Sequence, residues 1–340
     1  MGGSNTLTLV YSNLETPGGI RTYQETIIKG LAIANYPFKQ VRIKKIEFSF
    51  NGKSVGGLIS QELLARLHRH TDRPVHSLSH TVVTPKTDIV TIHDVVPLLS
   101  SANPAGSHYS RIFKNALNTE TIIVPSHAAK NDLLTLGVPE EKINVIYEGI
   151  DTSQFFYDPF FILYWTDHVA VDGKKVLVTV GDYNPRKRFD LLYDIVSKMD
   201  DVVLYHIGPE NNWNERAQYL RRLASKSGNV FILGDVPREV LRKFYSSSDL
   251  FVYISDAEGF GLPPLEAMAC GTNVLVNDIP VFRETMGGVG FLSSTQDFRE
   301  GIYHALDHRK SRTVLREYVK KFSVQKEINE MIKIYERWGR

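Results

Sequence analysis

The strongest constraint on the fold of this chain is a rhythm, set out twice, in which short runs of β-branched and aliphatic residues alternate with longer segments of helical periodicity. In the first half, apolar runs at 6–11, 88–93, 121–125 and 144–147 are separated by helical stretches at 20–34, 107–117 and 128–136. The rhythm restarts at 175–181. Runs at 202–208, 230–233, 250–254, 273–276 and 289–292 follow, with helical stretches at 189–199, 213–225, 238–246 and 264–270 between them and further helical segments from 296 onward. Alternation of this kind implies parallel strands, because a crossover helix returns the chain to the same end of the sheet. The expected fold class is therefore α/β, with two Rossmann-like, doubly wound domains facing a central cleft.

The 340 residues suit two domains of about 150–170 residues each. We expect a first domain at 1–150, a connection at 151–174 rich in aromatics, a second domain at 175–320, and a closing helix at 321–340, with its return to the first domain left open. In open parallel sheets ligands bind beyond the carboxyl ends of the strands, so the loops after Tyr11, His93, Gly181, Gly208, Leu233 and Ile254 should line the cleft. The stretch 41–53 reads as a strand or hairpin with a basic, solvated edge.

Forty basic and 38 acidic residues leave a formal charge of only +2, which gives no global field for nucleic acid, so any anion site must be local. Cys270 is the single cysteine, so neither an internal disulfide nor a multi-cysteine metal centre can form. His68, His70, His76 and His80 are close in sequence but lack acidic or cysteine partners at metal spacing, and read as loop or helix-surface residues. We expect no metal and no bound cofactor. No run approaches the roughly 18–20 apolar residues that cross a bilayer, and the expectation is a cytoplasmic protein, with peripheral membrane contact left open. Gly2 satisfies a loose lipidation pattern that short sequences meet by chance.

The densest chemical signal is LFVYISDAEGFGLPPLEAMACGTNVLV, an apolar strand that ends in an acidic, glycine-rich loop and passes directly into a helix. Gly259 and Gly261 let the backbone approach a ligand, Pro263 and Pro264 pre-set a helix start, and that helix offers unpaired N–H groups to an anion such as a diphosphate. Glu258 in the loop and Glu266 in the expected first helical turn can accept hydrogen bonds from sugar or ribose hydroxyls. Glu266 has a plain alternative, since an acidic side chain in a first turn favours the dipole and closes a capping box.

A second signal is VTVGDYNPRKRFDLLYDIV, a strand, a glycine, a polar loop with three consecutive bases, and an amphipathic helix. Positive charges at a helix start are unfavourable unless an anion compensates them, and a phosphate would. The alternative is a solvated basic turn. In the first half, TPGGIRTYQETIIKGLA places Gly18 and Gly19 in a turn between strand and helix, and TIHDVVP releases His93 from the end of a buried run. A lone histidine there is often structural, with Asp94 orienting backbone or imidazole.

Together these strings resemble the family-4 retaining glycosyltransferases of the GT-B fold, mannosyltransferase-like members above all, from the Gly-Gly turn to the terminal helices. The segment from Glu258 to Glu266 matches their E-x7-E motif, in which the first Glu lies by the transferred sugar and the second binds the nucleotide ribose. Two departures, Ile254 and Asn273 where prolines are frequent, touch neither contact. The resemblance assigns Lys187 to the donor diphosphate, with Arg186 as a second charge because Asp182 stands where an Arg is usual, and His93 to the donor sugar. Catalytic roles thus fall to Glu258, His93, Lys187 and Arg186. Gly18, Gly19, Gly181, Gly259, Phe260, Gly261, Leu262 and Glu266, with Arg186 and Lys187, line the nucleotide-sugar site. The implied reaction moves a hexose from a nucleoside diphosphate sugar, of the GDP-mannose or UDP-glucose type, to a hydroxyl of a glycan, lipid-linked or protein acceptor, without a metal. A nucleotide-sugar epimerase or hydrolase on the same fold, and a catalytically silent nucleotide- or glycan-binding protein, stay open as alternatives.

Overall fold

The structure, a computed structural model, describes residues 6–12, 19–43, 48–50, 53–55, 74–84, 86–95, 108–158, 173–209 and 214–338. These form two compact units, residues 1–149 with 324–340 and residues 150–323.

The first unit is built on a six-stranded parallel sheet of β1 (Leu7–Ser12), β2 (Phe38–Ile43), β5 (Val75–Ser77), β6 (Ile89–Thr91), β7 (Thr121–Val124) and β8 (Ile143–Val145), in the order β2-β1-β5-β6-β7-β8. A separate antiparallel ribbon pairs β3 (Phe48–Phe50) with β4 (Lys53–Val55). The stretch 41–53 thus holds the end of one parallel strand and most of a small ribbon. Alternate residues of the central strands feed two cores. Ile89 and Ile123 join Leu7, Leu9, Ile27 and Leu31 on one face, whereas Val90, Ile122 and Val124 join Phe113 and Leu133 on the other. Burial on both faces is why these strands read as continuous apolar runs.

Helix α1 (Gly19–Ile33) covers the first face, and α2 (His108–Leu117) and α3 (His127–Thr135) belong to the second. A Cβ on Gly30 of α1 would lie 2.5 Å from Ile328, so that glycine permits close packing against the chain's last helix. This helix, numbered α11 below, spans Val324–Trp338 and buries Glu327, Ile328, Met331, Ile334 and Tyr335, a stripe at helical spacing.

The second unit has the sheet β11-β10-β9-β12-β13-β14, formed by β9 (Lys175–Val180), β10 (Val202–Ile207), β11 (Val230–Gly234), β12 (Leu250–Tyr253), β13 (Val274–Asn277) and β14 (Phe291–Ser293), all parallel. Its helices are α4 (Phe189–Ser197), α5 (Asn214–Ser227), α6 (Arg238–Ser247), α7 (Leu262–Ala269), α8 (Pro280–Met286), α9 (Phe298–Asp307) and α10 (Arg312–Val319), ahead of α11. Leu177, Leu192, Val196, Leu204, Leu220, Leu250, Val252, Leu275 and Ile302 share its core. Counted within the unit, the strand order is 3-2-1-4-5-6, that of a dinucleotide-binding sheet, and it reverses between β9 and β12. In the first unit the main-sheet order 2-1-3-4-5-6 reverses between β1 and β5.

Two histidines read as surface residues are buried. His76 sits within β5 with no exposure, bonded through Nδ1 to Tyr335 Oη (2.8 Å) and through Nε2 to Thr91 Oγ1 (2.9 Å). His80, in the turn after β5, stacks on Phe113 at 4.3 Å and is 4% exposed. Polar partners and a ring partner stand in for the apolar side chains that signal a core strand, so the sequence pattern pointed the wrong way. His68, His70, Gly2 and the aromatics Phe160, Phe161 and Tyr164 lie outside the described residues.

Candidate active site

The loops after β9 and β12 leave the second sheet at its point of reversal, and they hold the residues that the sequence singles out. Each of the three consecutive bases faces a carboxylate. Arg186 Nη1 lies 2.6 Å from Glu258 Oε1, Lys187 Nζ 3.6 Å from Asp182 Oδ1, and Arg188 Nη1 3.1 Å from Asp256 Oδ1. Arg186 also donates to the Ala257 carbonyl. A basic turn that looked uncompensated in sequence is therefore balanced in the structure by acids from its own loop and from the loop after β12.

Lys187 reaches this position because Gly181 has no side chain, as a Cβ there would lie 2.9 Å from its Cδ and Nζ. Its ammonium sits 5.5 Å from the centre of the Tyr253 ring. Tyr253 Oη in turn donates to Glu258 Oε1 at 2.9 Å. Burial alone would push the Glu258 carboxyl up, but the charges of Arg186 and Lys187 and the bonds from Arg186 and Tyr253 outweigh it and hold the group at about 2. Glu258 is thus ionised at any physiological pH.

The two loops are stitched together. Asp256 N donates to Arg186 O at 2.7 Å, and Ser255 Oγ reaches Arg186 O at 3.3 Å. Asn277, at the end of β13, clamps Ser255 in both directions: Ser255 N donates to Oδ1 and Nδ2 donates to Ser255 O, each at 2.9 Å. On the other side, Gly208 Cα packs so closely on Gly181 that a Cβ would lie 2.0 Å from its carbonyl oxygen. His206 Nε2 donates to that same carbonyl at 2.8 Å, and Tyr193 Oη donates to Nδ1. Burial lowers His206 to about 4, which keeps it in this neutral tautomer.

The helix after Glu258 begins at Leu262, two residues earlier than expected, with Gly261 as its N-cap in the left-handed region at φ 91°. Pro263 and Pro264 both fit the first turn, whose N–H groups have no intrahelical acceptor. The earlier start moves Glu266 to the fifth helical position, so it cannot close a capping box. Its Oε2 instead accepts from Tyr245 Oη at 3.0 Å, and burial raises its carboxyl to about 7 against the smaller opposing effects of Tyr245 and Arg238. Gly259 and Phe260 complete the loop, Phe260 buried with its ring edge-on to Phe322 at 5.5 Å.

In the first unit, His93 follows β6 and is 8% exposed. Its Nδ1 lies 2.9 Å from Glu148 Oε1, its Nε2 lies 3.1 Å from the Leu78 carbonyl, and Tyr23 meets the ring edge-on at 4.5 Å. Gly19 opens α1 with nothing within 4 Å of a would-be Cβ, and Gly18 lies outside the described residues. The structure thus gathers Gly181, Arg186, Lys187, Glu258, Gly259, Phe260, Gly261, Leu262 and Glu266 in the second unit, and His93 and Gly19 in the first. Sequence reading missed Tyr253, Asn277, His206 and Glu148. Among the described residues no group of three His, Cys, Asp or Glu could hold a metal ion, and no helix is long and apolar enough to cross a membrane.

Comparison with known proteins decides the family. Residues 166–322 match the family described as glycosyl transferases group 1, and residues 60–154 match glycosyltransferase family 4. The chain belongs to these family-4 glycosyltransferases. It is 26% identical over 211 residues to the O-antigen chain mannosyltransferase RfbU of Salmonella typhimurium, covering 61% of this chain and 56% of that protein. An uncharacterized glycosyltransferase of Methanocaldococcus jannaschii is 26% identical over 215 residues, covering 58% of this chain and 53% of that one. The matched region thus spans about half the length of these relatives. Among solved structures, Anabaena HepE in complex with UDP and glucose superposes with a TM-score of 0.78 at 17% identity, covering 96% of this chain and 98% of that one. The fold is accordingly GT-B, built from two parallel six-stranded α/β sheets.

Proposed function

We propose that this protein transfers a hexose, with retention of configuration and without a metal ion, from a nucleoside diphosphate sugar to a hydroxyl of a glycan or lipid-linked acceptor. The observation that carries this reading is the group at the reversal point of the second sheet, where Arg186 pairs with the ionised Glu258, the charge of Lys187 acts on the same carboxylate, and α7 begins four residues further on. The mannosyltransferase relative favours GDP-mannose as donor, with UDP-glucose the next choice from the HepE complex.

Each part has a chemical task. Departure of a nucleoside diphosphate builds negative charge on its β-phosphate while positive charge develops on the sugar ring. Lys187 and the first-turn N–H groups that the prolines leave to α7, those of Leu262 and Leu265, would neutralise the first, and the fixed carboxylate of Glu258 would favour the second. In the reaction the bond from the anomeric carbon to phosphate breaks, the bond to the acceptor oxygen forms on the same face, and the acceptor's proton passes to the leaving phosphate oxygen. Arg186 has a double role on this reading. It keeps Glu258 ionised and oriented, and it can turn part of its guanidinium to phosphate.

Thermal-shift measurements with GDP, UDP and their sugars should pick out one nucleotide, because a ligand that binds only the folded state raises its melting temperature. With that donor and simple glycoside acceptors, product should retain the donor's anomeric configuration, and Lys187→Ala should lower kcat by about a hundredfold or more. Release of free sugar or epimerised donor in place of transfer would overturn the proposal. A covalent sugar trapped on Glu258 would overturn its same-face step.

A further inference from the structure

Three imidazoles cluster where the first sheet reverses, and they differ in what faces them. His76 of β5 is bonded to the hydroxyls of Tyr335 and Thr91, and His80 in the following turn stacks on Phe113 with neither ring nitrogen hydrogen-bonded. Burial lowers both to about 3, so both are neutral. Among the described residues, His93 alone of the three meets a carboxylate. Both of its ring nitrogens point at acceptors, Nδ1 at Glu148 Oε1 and Nε2 at the Leu78 carbonyl. A neutral imidazole carries one N–H, and two such acceptors ask for two.

We propose that Glu148 is a positioning residue that commits His93 to the imidazolium form, so that in sugar transfer His93 acts only as a hydrogen-bond donor and never as the base that removes the acceptor's proton. Glu148 anchors Nδ1–H from the loop after β8. Nε2–H, on the longer of the two bonds, is the one that a sugar or phosphate oxygen can share or take from Leu78. This rests on the transfer reading above and assigns the charge state in which His93 serves it.

The surroundings agree. Besides Glu148, the groups that face His93 are Tyr23 from α1, His76 and His80 from β5 and its turn, and Asp94 next in the chain. Burial by itself would push the imidazolium down. The Glu148 bond and charge, the Leu78 carbonyl and Asp94 outweigh it, and the net shift is upward from the usual value. Glu327 of α11 lies near Glu148, and burial, then the Glu148 charge, raise its carboxyl well above the ordinary range against the bond from Gly149 N, which weakens it as a competitor for the cation.

The sign of the pH dependence separates the two roles. A base must be unprotonated, so activity would rise with pH through its titration. A donor imidazolium is fully present below its titration and is lost as pH rises through the elevated value. The closing experiment uses Glu148→Gln, in which the amide oxygen can still accept from Nδ1–H and keep the geometry while the charge is removed, with Glu148→Asp as the conservative rescue. Nitrogen-15 shifts of His93, assigned by difference against His93→Asn, should show two protonated ring nitrogens at pH 7 in the unaltered protein. In Glu148→Gln the His93 midpoint should fall by about one unit or more. The alkaline limb of kcat/KM should fall with it, leaving kcat at pH 8 reduced about tenfold but recovered at lower pH, and Glu148→Asp should restore most of the loss. A neutral His93 in the unaltered protein overturns the proposal even if Glu148→Gln does not fold. An acid limb that vanishes in His93→Asn, or an alkaline limb unmoved by Glu148→Gln, overturns it too. Absence of any transfer would instead defeat the functional reading, while the nitrogen-15 result still judges the charge state.

Discussion

The two glutamates of the E-x7-E string stand eight residues apart and live in opposite electrostatic worlds. Glu258 has Arg186 at 2.6 Å and titrates at about 2, whereas Glu266 is buried against the Tyr245 hydroxyl and titrates at about 7. The second value carries a stability consequence. Folded Glu266 holds a proton that the unfolded chain releases near 4.5, so its favourable contribution is complete at pH 4.5 and below and is lost as pH rises through about 7. Glu266→Gln, which keeps the bond from Tyr245 but cannot ionise, should match the parent protein near pH 5 and exceed it at pH 8 by up to about 3 kcal/mol. Denaturant unfolding at the two pH values checks this, and equal stability at pH 8 would mean that Glu266 is solvated there. The sequence displayed both acids but not this contrast, because Tyr245 and Arg186 are brought to them by the fold. A capping role for Glu266 requires a helix that starts at 264. The actual start at Leu262 depends on Gly261 taking φ 91°, a backbone state that the sequence permits and does not announce.

At the scale of elements, legibility followed the source of burial. Strands such as β9, β10 and β12, whose apolar residues are buried on both faces, stand out as apolar runs within a residue or two of their observed bounds. Strand β5 does not, because three residues with a histidine at the centre resemble a loop until Thr91 and Tyr335 are seen to satisfy that histidine. The loop after β12 presents the same difficulty. Its shape depends on Asn277, whose side-chain amide continues the β12–β13 pairing one step past the last backbone partners, Tyr253 and Val276. Nothing in the sequence around position 277 marks an asparagine with that task. Asn277→Ala should leave the buried N–H and carbonyl of Ser255 unpaired and cost about 2–4 kcal/mol, at roughly 1–2 kcal/mol for each group. It should also weaken nucleotide binding, since Glu258 lies three residues past the clamp. A loss below about 1 kcal/mol on denaturant unfolding would show that water replaces the amide at both groups.

The whole molecule is divided unevenly along its sequence. The second unit is one continuous stretch, 150–323, with its own core and with Lys187, Arg186, Glu258 and Glu266 all inside it. The first unit is discontinuous, because 1–149 is completed by α11, whose Ile328, Met331, Ile334 and Tyr335 sit among Leu7, Leu9, Ile27 and Leu31 in one core. Two contacts at the boundary each lie within one unit. Ile150 pairs with Ser323 and donates to Phe322 O at 2.7 Å within the second unit, while Gly149 N donates to Glu327 Oε2 at 2.9 Å within the first. Excision should therefore be asymmetric. A fragment of residues 150–323 should unfold cooperatively on its own, and the nucleotide that the full chain selects should raise its melting temperature, because the groups proposed to hold the diphosphate travel with it. A chain cut after 323 should lose the first unit, since removing α11 strips part of the core face that it shares with α1 and deletes four buried side chains worth about 2–5 kcal/mol each, a loss comparable to a typical domain's whole margin of about 5–15 kcal/mol if the losses add. Two transitions in the full chain, with only the second retained after truncation, would bear out that division. A fragment of 150–323 that folds but ignores every nucleotide would place the diphosphate site outside the loops after β9 and β12.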